Sequence, residues 1–146
     1  MSCKLLDEMG LNAQERNDVV ELRLEKAQLF FEQAKGNVPL KYFEVVANRL
    51  YYAAYYAVSA LLIAHGDAAQ THQGIIRSFS LHFVRTGIVG KEMGALYGKL
   101  YSMRLTGDYD DMHNLTAEEV LPYVEPTEEL INVISTLAKN KLKELQ

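Results

Sequence analysis

Residues 48–62 read NRLYYAAYYAVSALL. Apolar residues recur there at steps of three and four, the period of a helix and not the alternation of a strand. Leu50, Ala53, Ala54, Ala57, Ala60, Leu61 and Leu62 give core positions, and the small alanines let neighbouring helices approach closely. Asn48, Tyr52, Tyr55 and Ser59 follow one another at steps of four, three and four, which puts four polar groups on one helical face. A buried tyrosine hydroxyl needs a partner. The face therefore reads in two ways: a tyrosine cluster bonded to neighbouring helices, or a hydrogen-bonding wall along a cleft.

Outward from this helix, which is expected over about Leu40–Ala64, the same periodicity continues. Upstream, a helix over about Ala13–Lys35 carries Val20, Leu24, Ala27, Phe31 and Ala34 on one stripe, with Gly36 as its stop and Pro39 in the first turn of the next helix. Gly66 ends the central helix. Thr71 caps a third helix over about His72–Arg85, with Ile75, Ile76, Phe79 and Phe83 inward and Gly87 as its end. A fourth, over about Lys91–Leu105, turns Met93, Leu96, Tyr97 and Leu100 inward, and Gly107 is expected to stop it before a polar, acidic loop, GDYDDMHN. Thr116 and Glu119 form a capping box. A break is expected between Pro122 and Pro126. The last helix then covers about Thr127–Leu145, with Leu130, Val133, Ile134, Leu137 and Leu142 inward. Short connections favour antiparallel neighbours, so the expected fold is all-α, an up-and-down bundle of four long helices plus a shorter one, in a single domain over residues 1–146.

Composition narrows the function. The 146 residues are 49% hydrophobic, enough for a core and against disorder. The most apolar stretch, AVSALLIA at 57–64, is too short to span a bilayer. The opening MSCKLLDEMG mixes charges without a long apolar run, and Cys3 is the one cysteine, so a cytoplasmic location is expected. The net charge of −4 counts against indiscriminate nucleic-acid binding, so contact with RNA would need a local basic patch. There is no glycine-rich phosphate loop, and the four histidines lack metal-helix spacing. No cofactor and no metal are assigned.

Two further places carry chemistry. His72 and Gly74 stand at a helix start, where free amides and an imidazole can hold an anion; the plain alternative is a cap with an exposed ring. In MRLTGDYDDMH, residues 103–113, Arg104 lies four residues after Leu100 and seven after Tyr97, on the inward side. A buried arginine needs an anionic or hydrogen-bonding partner. Asp108, Asp111 and a phosphate all qualify.

In order and spacing, ANRLYYAAYYAVSALL, THQGIIRSFSLHFVRTG and RLTGDY resemble the HEPN family, in particular the small stand-alone branch found beside nucleotidyltransferase genes. The resemblance covers about Leu22 to Leu142. It implies a helical bundle that forms a homodimer, and an RNA-related or nucleotide-binding role. Many members of the family are metal-independent ribonucleases acting as toxins or in defence, whose motif is an arginine, four to six residues, then a histidine. Here Tyr109, just after Asp108, stands where that histidine is expected, and His113 follows Arg104 only after eight intervening residues. Histidine titrates near ~6.5 and tyrosine near ~10, so tyrosine is a poor general base at neutral pH.

Three functions fit these residues. In the first, the chain is one subunit of a two-component, toxin–antitoxin type system, binding a nucleotide, RNA or a small nucleotidyltransferase partner, with Tyr109 as a candidate acceptor of a modifying group. In the second, it is a metal-independent ribonuclease with Arg104 as phosphate clamp and His113 or His72 as base. In the third, it is a non-catalytic helical adaptor. The candidate catalytic residues are Arg104, Tyr109 and His113; the candidate binding residues are Asn48, Tyr52, Tyr55, His72 and Asp108.

Overall fold

The computed structural model describes residues 10–109 and 114–145, with Tyr109 described at its backbone alone. The fold is an all-α bundle, and no strand is present among the described residues. Helix α1 spans Ala13–Asn37 and buries the expected stripe of Val20, Leu24, Ala27, Phe31 and Ala34. Its start carries a capping box: the Asn12 side chain accepts from the Glu15 amide at 2.8 Å, and the Glu15 carboxylate accepts from the Asn12 amide at 3.0 Å.

Helix α2, Phe43–Ala64, is the centre of the molecule, packed against α1 and both later long helices. All its expected core positions are buried. It begins three residues later than expected, because Lys41 adopts a left-handed conformation with φ of 63°. Pro39 and Leu40 therefore belong to the turn before the helix and not to its first turn. At the other end Gly66, with φ of 79°, closes α2: its amide bonds to Ile63 and that of Asp67 to Leu62, the pattern of a Schellman cap.

Helix α3, His72–Phe79, continues into a π turn at Ser80–Val84, where the Arg85 amide reaches back five residues to Ser80 at 2.8 Å. Helix α4, Lys91–Tyr109, runs through Gly107 instead of stopping there. That glycine answers to packing: a Cβ at 107 would lie 2.9 Å from the Leu115 side chain, and the Leu115 amide is itself held by Glu44 at 3.0 Å. The extra turn places Asp108 one turn beyond Arg104. The rest of the expected loop, residues 110–113, lies outside the described residues.

Thr116 and Glu119 form the expected capping box of a short α5, Ala117–Val120. The expected break falls at a 3-10 turn, Leu121–Tyr123, and α6 runs Val124–Glu144 with Pro126 in its first turn, where its missing amide costs nothing. Leu130, Ile134 and Leu142 are buried, Leu137 packs partly against the core, and Val133 faces outward, a correction to its expected place. No helix among the described residues is long and apolar enough to cross a membrane.

Two antiparallel pairings position the site. Contacts of Arg23 with Ser59 and of Arg49 with Gln33 set α2 against α1, and contacts of Tyr52 with Arg104 and of Asn48 with Asp108 set it against α4.

The Arg104 cluster as candidate functional site

The α2–α4 seam brings Arg104 together with the five candidate binding residues. Arg104 is 7% exposed. Its guanidinium lies over three rings, 5.1 Å from Tyr51, 5.5 Å from Tyr52 and 5.6 Å from Tyr101. Nη1 donates to the Tyr52 hydroxyl at 3.3 Å and meets the Asp108 carboxylate at 3.5 Å. The same carboxylate oxygen accepts from the Asn48 amide at 3.3 Å. Among the described residues, both polar contacts of the guanidinium thus fall on one nitrogen. The buried Nε has no hydrogen-bond partner among the described residues. A buried donor left unmade costs about 1–3 kcal/mol.

His72 joins from the start of α3. Its Nδ1 is 2.6 Å from the Tyr51 hydroxyl, and its ring packs against Tyr55 at 5.0 Å and Tyr101 at 6.3 Å between centroids. Burial, and then the nearby Arg104 charge, hold its pKa below the usual value, so the imidazole is neutral at pH 7. Burial pushes the Tyr51 phenol well up, and it keeps its proton. A protonated phenol beside a neutral imidazole can donate to Nδ1, which leaves the ring proton on Nε2. His72 is therefore an inward, positioned group and not an exposed cap residue. The expected anion site on the α3 amides is partly taken: the Thr71 hydroxyl accepts from the Gly74 amide at 2.9 Å. Gly74 is needed there, since a Cβ would stand 2.7 Å from that hydroxyl.

The expected residues Asn48, Tyr52, Tyr55, His72, Arg104 and Asp108 all line this seam. Ser59, on the same helical face as Asn48, is three turns further along, where α1 covers the face instead; it is buried and accepts from Arg23 at 3.0 Å. The Tyr109 side chain, His113, Asp110, Asp111 and Cys3 lie outside the described residues. Sequence reasoning missed Tyr51, the fully buried ring at the centre of the cluster, and Tyr101. Tyr101 was signalled by its place three residues before Arg104, one turn back on the same face. Two grooves of about 340 and 530 Å³ lie elsewhere, where α4 meets the Pro122–Pro126 turn, and Arg104 lines neither.

The model of the HEPN domain family matches residues 20–140. The chain belongs to the HEPN domain family. A UPF0332 protein of Thermotoga maritima is 32% identical over 126 residues, covering 86% of this chain and 96% of that protein. Two Methanocaldococcus jannaschii proteins, named as candidate toxins, are 27% identical over 100 residues and 28% identical over 128, the second match covering 88% of this chain and 87% of the relative. A crystal structure from Thermus thermophilus superposes with a TM-score of 0.63 at 19% identity over 84% of this chain and 97% of that one, a likeness of fold. In this HEPN chain Arg104 and His72 both pack against Tyr51.

Proposed function

We propose that this HEPN chain is the toxin-type subunit of a two-component system, and that its Arg104 cluster takes a phosphate of an RNA or nucleotide ligand. The supporting observation is one arginine, buried on three tyrosine rings, with a buried Nε that no described residue satisfies. A phosphate can accept from two guanidinium nitrogens at once, which a carboxylate 3.5 Å from Nη1 does not do here. The names of the two Methanocaldococcus relatives agree with the toxin role. The proposed partner is a small nucleotidyltransferase, with Tyr109 as the acceptor of a transferred group. A homodimer would set two Arg104 clusters within one assembly.

A second reading, metal-independent RNA cleavage, is favoured by the neutral imidazole of His72 on the same tyrosine that carries Arg104. In it the Tyr51–His72 bond runs the other way, Nδ1 donating to the hydroxyl, so that the free Nε2 takes the proton of a ribose 2′-hydroxyl, the 2′-oxygen displaces the 5′-oxygen from phosphorus, the 5′-oxygen leaves with a proton from water, and Arg104 stabilises the charge that develops on the phosphate.

One experiment separates the two. Purified chain is incubated with total RNA in EDTA beside Arg104→Ala and His72→Asn, and binding of a labelled oligoribonucleotide is measured in parallel. Cleavage by the wild type and by neither variant supports the ribonuclease. Binding without cleavage, lost about 100-fold in Arg104→Ala as for a charge-assisted pair of about 3 kcal/mol, supports the phosphate-binding subunit. RNA and nucleotide binding unchanged in Arg104→Ala would sink both.

A further inference from the structure

The cluster does not end at Arg104. On α1, Arg23, Lys26, Phe30 and Gln33 follow at steps of three, four and three, and on α2 Arg49, Tyr52, Tyr56 and Ser59 follow at the same steps. The two helices are antiparallel, so the two rows meet in register. Arg23 donates to Ser59 at 3.0 Å and covers the Tyr56 ring at 5.7 Å; Lys26 reaches the same ring at 5.2 Å. Phe30 meets Tyr56 edge-on at 5.2 Å and Tyr52 at 6.4 Å, and Arg49 lies 4.7 Å over Phe30 while its Nη1 donates to Gln33 at 3.4 Å. The row then passes through Tyr52 to Arg104, and through Tyr55, 5.2 Å from Tyr56, to His72.

These rings are half-buried, and Lys26 is exposed. Arg23, Lys26, Arg49 and Arg104 line the row, and the Asp108 carboxylate meets Arg104 at its far end. A chain of net charge −4 thus gathers four cations on one aromatic seam. A plain core seam between two helices would be filled with leucine and alanine, as the inner faces of α1 and α2 are.

We infer that this α1–α2 seam is a track for single-stranded RNA leading into the Arg104 site. Flat rings accept unpaired bases whatever their sequence, and the cations between them meet the phosphates. The eleven residues from Arg49 to Ser59, ten rises of about 1.5 Å, make a track of about 15 Å. About four nucleotides fit that length at ~3.4 Å each. A duplex, with its bases already stacked inside, gains nothing from the rings. The inference rests on the RNA reading of the Arg104 site and extends it to a second surface.

The test measures the affinity of a labelled oligouridylate of about 12 nucleotides, and of a duplex of equal length, for the intact chain and for Lys26→Ala, Arg49→Ala, Tyr56→Leu and Arg104→Ala. Lys26 is exposed and Tyr56→Leu keeps an apolar side chain, so circular dichroism is expected to show both folded. The single strand is expected to bind more tightly than the duplex. Lys26→Ala and Arg49→Ala are each expected to weaken it about threefold to tenfold and to lower the salt slope by about one, and Tyr56→Leu about tenfold. Wild-type affinity in the folded seam variants, with loss only in Arg104→Ala, overturns the track and leaves the Arg104 reading standing. Loss in the seam variants with full binding by Arg104→Ala overturns the Arg104 reading and, with it, a track that leads into that site. A seam variant that changes the oligomeric state and not the RNA affinity marks the seam as a contact between copies and overturns the track.

Discussion

The chain buries two arginines, and they are built differently. Arg16, 1% exposed, sends Nη1 to the Ile63 carbonyl at 2.6 Å, in the last turn of α2, where the helix dipole is negative. That acceptor is backbone, fixed in place and always present. Arg104, 7% exposed, lies on ring faces, with a hydroxyl at 3.3 Å and a carboxylate at 3.5 Å on one nitrogen. Short, strong contact with the fold marks an arginine that holds helices together. Long contacts and aromatic surroundings mark one held ready for something else.

The sharpest test of this contrast is stability. Arg16→Ala leaves a cavity and takes one donor from the Ile63 carbonyl, and is expected to cost about 3 kcal/mol in urea denaturation. Arg104→Ala removes a guanidinium held by ring faces and long polar contacts and is expected to cost less, about 2 kcal/mol, while RNA binding disappears. Equal losses from the two, with RNA binding intact, would erase the distinction and leave a structural adaptor.

A smaller effect probes the group between Arg104 and His72. Tyr51→Phe keeps the ring and removes the hydroxyl on Nδ1, with an expected cost of about 1 kcal/mol. A hydroxyl that donates to the neutral imidazole holds the His72 pKa down, so its loss is expected to raise that pKa, read from the ring proton shifts by NMR. A His72 titration that does not move would show that burial and Arg104 alone set it.

The smallest effect is on pH dependence. His72 and His65 are both held below their ordinary pKa, chiefly by burial. The unfolded chain takes up their protons first, near ~6.5, so their contribution to stability is full above that pH and is lost as pH falls toward their folded values. Thermal denaturation is expected at lower temperature at pH 5 than at pH 7, with part of the difference absent in His72→Asn. A flat profile would mean that the fold accommodates a charged imidazole on the Tyr51 side.

Burial with a regular period was legible in the sequence: the stripes of α1 and α2 follow from spacing alone, and so do the caps at Thr71 and Thr116. Glycine was legible where it carries positive φ, at Gly66 and Gly87, and misread at Gly36, which lies inside α1, and at Gly107, which makes room for Leu115 and does not end a helix. Arg104 as an inward arginine near Asp108 was also legible. Tyr51 was not, because Tyr51, Tyr52, Tyr55 and Tyr56 spread over an arc of about 140° that runs from core to surface, and residue type cannot say which ring faces the core. The part played by His72 depends on how far the 66–71 connection returns along α2, a matter of tertiary packing that no spacing encodes. The cation row of α1 reads in sequence as an ordinary solvated face until α2 is laid beside it.

The π turn in α3 is a matter of phase. Ile75, Phe79 and Phe83 are all buried and recur every four residues, a beat that drifts by about 40° per step against the 3.6 residues of an α turn. One wider turn at Ser80–Val84 slows the helix so that Phe83 falls back into line, close enough to set its ring edge-on to His65 at 4.9 Å. The extra residue is thus a timing correction: delete exposed Leu81 and everything after it advances by about 100°, carrying Phe83 away from His65 and Val84 away from Gly94.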